Sequence, residues 1–282
     1  MKVYIVIPAH NEEHVLKQCL DSLVAQSVKP EHLVLVNDNS SDETRNIMLD
    51  YVKSYDWISM IDLTSSSEHL PGSKVVNAFY KGFDSLDQDF DIICKFDADI
   101  VFPPEYISKL IKMFAEDSEL GIAGGLPFTE KNGEWVFEAI ASQNHVRGPV
   151  KAYRKDCFEA IGGLKPTIGW DTLDVLLAQY HGWNVSTDKN LHVRHLKPTG
   201  KAYNKAARFL QGKAFYGMRY GFILTVIAAL KGGWVRNQPF FTINAIWGFL
   251  RSWINRDAFL VTSDQGRFIR KLRWIGIKKK LI

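Results

Sequence analysis

Two aspartates follow a short apolar segment and are of the residue type found in metal and phosphate sites. Asp97 and Asp99 come directly after the apolar run 91–96, with Ala98 between them. In an extended strand, residues i and i+2 point to the same side, so both carboxylates can serve one site. Neighbouring carboxylates repel each other unless a cation lies beside them, and Mg²⁺ and Mn²⁺ bind carboxylate and phosphate oxygens. The pair therefore indicates a cation-bound diphosphate, with solvated turn residues as the alternative.

Two other polar loops follow apolar runs earlier in the chain. Asp38 lies in the polar segment 37–42, which follows the run 32–36. A carboxylate at this position can accept a hydrogen bond from the imide N–H of a pyrimidine base. The segment 8–13 follows the apolar run 3–7 in the same way. Taken alone, each loop is more often a turn that leads into a helix, so their interest lies in their shared position.

Apolar runs and amphipathic stretches alternate along the chain, and this alternation predicts the fold. Strands are predicted at 3–7, 32–36, 58–63, 91–96, 121–126 and 148–154. Asn11 is predicted to cap the first helix and residues 40–43 the second. Two further helices are predicted over 73–86 and from Pro103 to about Asp117. Such βαβ units predict an α/β fold with a mostly parallel central sheet flanked by helices. Ligands of these sheets bind beyond the carboxyl ends of the strands, where the polar loops lie.

The ordered set of loops resembles a known enzyme family. The segments Pro8-Ala9-His10-Asn11-Glu12-Glu13, 36–42 and Phe96-Asp97-Ala98-Asp99 are similar to those of the family 2 glycosyltransferases. The resemblance covers residues 1–200 and implies the Rossmann-like type A nucleotide-sugar transferase fold. It also implies that Pro8, His10 and Glu12 line a nucleotide pocket, that Asp38 contacts the nucleobase, that Asp97 lies against the ribose and that Asp99 ligates Mn²⁺ or Mg²⁺. The donor is then a nucleoside-diphosphate sugar, with a UDP-sugar favoured.

A further acidic segment resembles the catalytic loop of that family. In Gly169-Trp170-Asp171-Thr172-Leu173-Asp174, Asp171 occupies the position of the family's general base. The family usually has Glu before this Asp, whereas this chain has Trp170. The resemblance implies that Asp171 accepts the acceptor proton, with Asp174 as a second candidate. Asp is also a strong helix N-cap, which is the alternative for Asp171.

Two more side chains are candidates for the diphosphate and cation site. His192 and His195 are three residues apart in a predicted strand, so they face opposite sides and do not share one ion. The family often places a His after the base, which implies that His195 completes the cation site; a structural histidine is the alternative. Lys74 follows Gly72 and Ser73 at a predicted helix start. It can approach the diphosphate or remain solvated.

These features imply an inverting, metal-dependent transferase that uses a single displacement. The Gln-x-x-Arg-Trp motif of processive family members is absent, because Gln211 is followed by Gly212-Lys213-Ala214-Phe215. We therefore expect one sugar to be added per encounter. The competing interpretations are a nucleotidyltransferase, which needs no base at Asp171, and a catalytically silent membrane-associated scaffold that binds nucleotide sugars.

Composition excludes several other classes of protein. The 282 residues are 46% hydrophobic, which is enough for a packed core and excludes a mainly disordered chain. The three cysteines lie far apart, which excludes a disulfide framework and a CxxC metal site. The first residues lack a secretory h-region, so we expect a cytoplasmic protein in a reducing compartment.

Charge is divided unevenly along the chain. Residues 1–187 carry 16 Lys and Arg against 28 Asp and Glu, a net charge of −12, whereas residues 188–282 carry 19 against 3, a net charge of +16. We predict a transferase domain over 1–200 and a helical extension over 201–282. Its apolar stretches, 222–230 and 239–250, are shorter than the about 20 residues that span a bilayer.

The basic tail of this extension has two interpretations. Residues 267–280 contain seven basic residues, no acidic residue, and interleaved apolar side chains. The tail is either a helix on the anionic inner face of the cell membrane or a cap packed on the transferase domain. The membrane interpretation favours a lipid-linked or glycan acceptor in cell-surface glycan synthesis. No nucleic-acid motif accompanies the charge, so no nucleic-acid partner is expected.

Overall fold

The chain folds into two compact units in the computed structural model, which describes residues 1–64, 72–139, 142–197, 209–235 and 237–281. The first unit comprises residues 1–67, 75–164 and 181–201. The second comprises residues 68–74, 165–180 and 202–282. The second unit therefore adds two internal segments to the basic C-terminal region.

A nine-stranded sheet forms the centre of the first unit, as counted over the described residues. Its strands are β1 Val3–Ala9, β2 His32–Asp38, β3 Ile58–Leu63, β4 Ile92–Phe96, β5 Ile100–Val101, β6 Leu120–Lys131, β7 Glu134–Phe137, β8 Val150–Arg154 and β9 Asn184–His195. The order is β3-β2-β1-β4-β8-β6-β9-β5, and β7 pairs with β6. Strands β1 to β4 pair in parallel, as predicted, whereas β8 joins β4 in the antiparallel direction.

Strands β1, β2 and β4 are buried on both faces, as in sheets that helices cover on both sides. In β1 and β4 the side chains of Ile5, Ile7, Cys94 and Phe96 are buried in one hydrophobic core. The cysteines at 19, 94 and 157 are all buried and unoxidised, so these thiols serve as small apolar side chains.

The helices of the first unit mostly follow the predicted pattern. They are α1 Leu16–Val24, α2 Thr44–Ser54, α3 Ser73–Phe83, whose first two residues belong to the second unit, α4 Tyr106–Glu116 and α5 Lys155–Ala160. The prediction that Asn11 caps the first helix was wrong, because α1 begins only at Leu16. Asn11 instead has a positive φ of 54°, a left-handed conformation that asparagine tolerates better than most residues.

Helices make up the second unit. They are α6 Trp170–Tyr180, α7 Leu210–Gly217, α8 Phe222–Val235, α9 Pro239–Ile254 and α10 Ser263–Leu281. Helices α7 and α9 approach so closely that a Cβ atom on Gly212 would lie 1.9 Å from the carbonyl oxygen of Ala245. The predicted helices at 222–230 and 239–250 are confirmed and extend further. Within the described residues, none of the helices has both the length and the apolar character needed to cross a membrane.

Candidate active site at the carboxyl ends of the strands

Hydrogen bonds join the loops that follow β1 and β2. The two strands pair in parallel with Ala9 opposite Asn37, so both loops leave the same edge of the sheet. The side-chain oxygen of Asn11 accepts a hydrogen bond from the backbone N–H of Ser41 at 2.9 Å. The backbone N–H of Glu12 donates to the hydroxyl of Thr44 at 2.7 Å. The left-handed turn at Asn11 thus fixes the first loop against the second.

His10 and Asp38 meet where these loops converge. The Nδ1 atom of His10 lies 2.6 Å from the backbone carbonyl oxygen of Asp38. Because a carbonyl only accepts, this nitrogen carries the proton. The Asp38 side chain is buried, and its Oδ1 atom has no hydrogen-bond partner among the described residues. A buried acceptor without a partner is costly, so Oδ1 is suited to an N–H group of a ligand.

Asp97 and Asp99 follow β4 at the same edge of the sheet. Asp97 forms an ion pair with Lys95, a lysine that is buried within the otherwise apolar strand β4. The backbone N–H of Asp97 donates to the carbonyl oxygen of Pro149 at 3.0 Å, which fixes the start of the loop. The charges of Asp97 and Asp99 both act on Glu12 in the loop after β1. The acidic loop and the His10 loop therefore share one electrostatic environment.

His195 connects Asp99 to a third carboxylate. Strands β5 and β9 pair with Ile100 opposite His195, which brings the imidazole beside Asp99. The Nε2 atom of His195 lies 3.2 Å from an oxygen of Asp99, and its Nδ1 atom lies 2.8 Å from Oε2 of Glu138. All three side chains are largely buried. Glu138 also forms an ion pair with buried Arg147. The imidazole of His195 therefore lies between the carboxylates of Asp99 and Glu138.

The two histidines of β9 face opposite sides of the strand, as predicted. His195 is buried beside Asp99, whereas His192 is exposed. A nitrogen of His192 lies 2.9 Å from the carbonyl oxygen of Lys189. The two imidazoles are therefore not arranged to share an ion.

Burial and neighbouring charges change the pKa values of two groups in this site. Burial alone would lower the pKa of His195, but the hydrogen bonds and charges of Asp99 and Glu138 raise it to about 9. Burial raises the pKa of Glu12; the ion pair with Lys197 opposes this rise, and the charges of Asp97 and Asp99 add to it. The site therefore concentrates negative charge that an imidazolium partly balances.

The donor atoms around Asp99 fit a divalent cation. A carboxylate oxygen suits Mn²⁺ and Mg²⁺, and the imidazole nitrogen favours Mn²⁺ because Mg²⁺ is bound through oxygen. Nδ1 of His195 contacts Glu138, which is the second-sphere arrangement common to metal-binding histidines, and a cation at Nε2 would replace the proton by which the imidazolium pairs with Asp99. In the part of the chain that the structure describes, no group of three or more His, Cys, Asp or Glu side chains is arranged to hold a metal.

The remaining candidate residues belong to the second unit. Asp171 lies in the first turn of α6. The residue before this helix is Gly169, whose φ is +73°. Asp174 is buried in the same helix, and its Oδ1 atom accepts the backbone N–H of Val175 at 2.6 Å. Lys74 lies in the first turn of α3 and is half-buried. The roles of these residues in the reaction remain predictions.

Comparison with known proteins identifies the family. Residues 4–160, more than half of the chain, match the family described as Glycosyl transferase family 2. The chain belongs to glycosyl transferase family 2. This family 2 match covers β1 to β8, apart from the first residue of β1, and α1 to α5, and therefore includes the His10, Asp38 and Asp99 loops.

Curated relatives of this family 2 chain are longer proteins. It is 32% identical over 186 residues to the probable glycosyltransferase YdaM of Bacillus subtilis, an alignment that covers 57% of this chain and 42% of YdaM. It is 39% identical over 69 residues to the poly(ribitol-phosphate) beta-glucosyltransferase of Bacillus spizizenii, covering 24% of this chain and 11% of that protein. The chain therefore spans less than half the length of these relatives.

Solved structures share the fold. TarS residues 1–349 from S. aureus, in complex with UDP-GlcNAc, match with a TM-score of 0.59 at 18% identity, over 80% of this chain and 67% of that one. The mannosyltransferase PcManGT from Pyrobaculum calidifontis, in complex with GDP-Man and Mn²⁺, matches with a TM-score of 0.58 at 12% identity, over 98% of this chain and 80% of that one. At these identities the likeness concerns the fold alone, and it confirms the predicted fold class.

Sequence reasoning missed two residues of the family 2 site. The sequence does contain an indication for Lys95, because a lysine within an apolar strand stays buried only when its charge is paired. It contains no indication for Glu138, because the partner of Glu138, His195, lies 57 residues away in the sequence. Both residues hold groups that the family pattern had already indicated.

The raised pKa of His195 predicts how stability depends on pH. The folded-state pKa of about 9 exceeds the ordinary value of 6.5, so the stabilising contribution is complete below pH 6.5 and is lost as the pH rises through about 9. The full contribution is about 3 kcal/mol. Urea unfolding with a chelator should show wild type and His195→Gln differing most near pH 6 and converging above pH 9. A difference that does not change with pH would contradict this prediction.

Proposed function

We propose that this protein transfers a sugar from a nucleoside-diphosphate sugar to an acceptor hydroxyl, with inversion at the anomeric carbon. The observation that carries the proposal is the buried Oδ1 of Asp38, which has no partner among the described residues. Asp38 ends β2 at the same sheet edge at which Asp99 follows β4. Membership of glycosyl transferase family 2 supports it. Complexes of fold neighbours with UDP-GlcNAc and with GDP-Man further support a nucleotide-sugar donor.

The nucleotide binds across the loops after β1, β2 and β4 in this proposal. Asp38 accepts an N–H of the base, which favours uracil, and Asp97 lies against the ribose. Pro8, His10 and Glu12 line the pocket, and Lys74 approaches the diphosphate. The support for this assignment is the hydrogen bonding that makes the first two loops one rigid element. A rigid pocket binds the nucleotide with little loss of conformational entropy.

Asp99 and His195 would hold the divalent cation, either Mn²⁺ or Mg²⁺. When bound, the cation neutralises negative charge on the departing diphosphate. The task of the protein is to keep the two ligand atoms together, and Glu138 does so by holding Nδ1 of His195. Complexes of fold neighbours with Mn²⁺ support the choice of a divalent cation.

Asp171 acts as the general base in this proposal. Its carboxylate takes the proton of the acceptor hydroxyl as the new glycosidic bond forms, from the face opposite the leaving diphosphate. One displacement through an oxocarbenium-like transition state inverts the anomeric centre and needs no covalent intermediate. Trp170 replaces the Glu that usually precedes the base, and Asp174 remains the second candidate. The reaction is non-processive, adding one sugar per encounter.

The acceptor is a cell-surface glycan or a lipid-linked saccharide in this proposal. Relatives of the chain include a poly(ribitol-phosphate) beta-glucosyltransferase and a teichoic acid poly(glycerol phosphate) polymerase, which supports a cell-envelope polymer. We place the enzyme in the cytoplasm, peripheral on the inner face of the cell membrane. Membrane contact is made through residues 201–282, and the support for it is the excess of basic residues there.

The reaction products test the proposal directly. The protein is incubated with Mn²⁺ and a panel of nucleoside-diphosphate sugars, and the released nucleotide is identified. A glycosyltransferase releases nucleoside diphosphate, through transfer or slow donor hydrolysis. Release of pyrophosphate would identify the alternative nucleotidyltransferase, and binding without any turnover across the panel would identify a silent scaffold.

Loss of the Asp38 carboxylate is expected to weaken nucleotide binding. A hydrogen bond to a charged acceptor contributes about 1.5–3 kcal/mol, so Asp38→Ala should weaken UDP binding about 10- to 100-fold in calorimetry. Asp56→Ala, which removes an exposed carboxylate from the same unit, is the control. The variant should also lose its preference for UDP over CDP. Unchanged UDP affinity would remove Asp38 from the pocket.

A further inference from the structure

The hairpin formed by α8 and α9 exposes an unusual amount of apolar surface. On α8, Ile223, Leu230 and Trp234 are exposed at a spacing of i, i+7 and i+11, which places them on one helix face. Trp234 is 89% exposed, although tryptophan is normally well buried. Large contiguous apolar patches mark interaction sites in soluble proteins. This face therefore has the character of a binding surface.

Helix α9 continues the same kind of surface. Phe240, Ile243, Trp247 and Ile254 are exposed at a spacing of i, i+3, i+7 and i+14, which again falls on one helix face. Phe240 is 75% exposed and is the second residue of the helix. We refer to these four residues together with Ile223, Leu230 and Trp234 as the outer stripe.

Hydrogen bonds join the described residues at the facing ends of the two helices. The backbone N–H of Gln238 donates to the carbonyl oxygen of Gly233 at 2.9 Å, and that of Asn237 donates to Trp234 at 3.0 Å. The hydroxyl of Thr242 donates to the carbonyl oxygen of Ala229 at 3.0 Å and joins the helices beside the turn. These bonds hold the helix ends that carry Trp234 and Phe240, and we call this end of the hairpin the tip.

The outer stripe is not the core face of the hairpin. The opposite faces of the helices bury a different set of residues, namely Leu224, Thr225, Ala229 and Gly233 on α8 and Ala245, Gly248, Phe249 and Ser252 on α9. Packing of the hairpin within its unit is therefore satisfied without the stripe. The exposed side chains of the stripe remain available to contact a lipid bilayer or another molecule.

The basic charge around the hairpin favours an anionic surface as its partner. The sequence has no acidic residue between Asp188 and Asp257, while residues 222–254 include three basic residues. Helix α10 adds seven basic residues over 267–280. The side chain of Arg273 donates to the hydroxyl of Tyr220, directly before α8, so the basic helix and the hairpin are joined within the second unit. Basic residues near the surface of an anionic membrane each contribute about 1 kcal/mol to binding.

Aromatic side chains at the tip fit the boundary between lipid headgroups and acyl chains. Tryptophan is enriched at membrane interfaces, where an apolar ring can lie beside polar headgroups. Helices that lie in this region combine an apolar face with basic residues and do not span the bilayer. The hairpin combines the apolar outer stripe with basic residues and has no acidic residue. A protein partner would not require the absence of acidic residues over the whole hairpin.

We propose that the tip and outer stripe of the α8–α9 hairpin insert into the interfacial layer of an anionic lipid bilayer, while α10 contacts the headgroups. This inference rests on the membrane contact proposed above for residues 201–282. It assigns insertion to the hairpin rather than to the basic tail. The enzyme is then anchored by two signals, one apolar and one electrostatic, which is what stable peripheral binding requires.

Vesicle flotation of the full chain tests the inference. Wild type should float with vesicles rich in phosphatidylglycerol and much less with vesicles of phosphatidylcholine alone. The double variant Trp234→Ser/Phe240→Ser should lose at least about 10-fold in partitioning, since two large apolar side chains no longer leave water. Trp135→Ser, on β7 of the first unit, is the matched control. Thermal melting and vesicle-free donor hydrolysis should remain unchanged in the double variant.

A site-specific probe reports insertion itself. The native cysteines are buried, so an environment-sensitive dye can be attached selectively to Trp234→Cys, with Trp135→Cys as control. Vesicles should increase emission at 234 and leave 135 unchanged. No change at 234 despite flotation would overturn the inference.

Three other outcomes separate this inference from the proposals on which it rests. If Lys278→Glu/Lys279→Glu abolishes flotation while the hairpin variant floats like wild type, the tail binds alone and the inference is wrong, although membrane contact stands. If wild type floats with neither vesicle, both ideas fail while sugar transfer remains testable. If wild type is a dimer that the hairpin variant dissociates, the stripe joins two copies of this chain and the inference is overturned.

Discussion

Replacing Asp171 with asparagine is expected to lower turnover by about 10²- to 10⁴-fold, the range that general-base catalysis contributes. Asparagine keeps the size of the side chain but cannot take the proton of the acceptor hydroxyl. Donor affinity should stay near that of wild type, because Asp171 is not among the residues proposed to bind the nucleotide. Turnover from steady-state kinetics and donor affinity from calorimetry separate the two effects.

The control for Asp171→Asn is a second acidic residue at the start of a helix. Asp171 lies in the first turn of α6, where a negative charge stabilises the helix by about 0.3–1 kcal/mol. Asp156 lies in the first turn of α5, so Asp156→Asn removes the same kind of stabilisation without any proposed catalytic role. If Asp171→Asn behaved like Asp156→Asn, Asp171 would be only a helix-stabilising residue.

Asp174→Asn tests the second candidate for the base. Asp174 is buried, and its carboxylate accepts a backbone N–H within its own helix. We expect its loss to lower thermal stability more than turnover, because a buried hydrogen-bonding group is disturbed. The base would be reassigned to Asp174 if Asp174→Asn lost turnover at unchanged stability while Asp171→Asn retained it.

The parallel half of the sheet was predictable because its strands are buried on both faces. Continuous apolar runs such as 3–7 and 32–36 have no other stable environment in a chain of this composition. The antiparallel pairing of β8 with β4 was not predictable, since it depends on contacts between segments about 60 residues apart in the sequence. The start of α1 was mispredicted because Asn11 serves the turn, not the helix.

The candidate site was predictable where its chemistry resides in local motifs. Asp38 ends β2 and Asp99 lies in the short loop after β4, so strand position and residue type were enough to select them. The ion pair of Glu138 with His195 requires β5, β7 and β9 to be arranged in three dimensions, which no local pattern specifies. Motifs therefore indicated the groups proposed to contact substrate, and the structure supplied the groups that hold them in position.

Loss of the Asp99 carboxylate is expected to have the largest effect on cation binding. Changing a second-sphere partner of a metal ligand typically costs 10- to 100-fold in affinity, so removing a ligand itself should cost more than about 100-fold. Asp99→Asn should therefore weaken Mn²⁺ binding by more than this factor in calorimetry. Asp89→Asn, which removes a highly exposed carboxylate from the same unit, controls for the general loss of negative charge.

The order of effects within the Asp99, His195 and Glu138 group tests the cation site more sharply than any single variant. Glu138 contacts Nδ1 of His195 while Nε2 faces Asp99, so Glu138→Gln should lower Mn²⁺ affinity by only about 10- to 100-fold. UDP binding without metal should be unchanged in Asp99→Asn, because the Asp38 loop follows a different strand. Equal losses in Asp99→Asn and Asp89→Asn would mean that Asp99 contributes only its charge and does not ligate the cation.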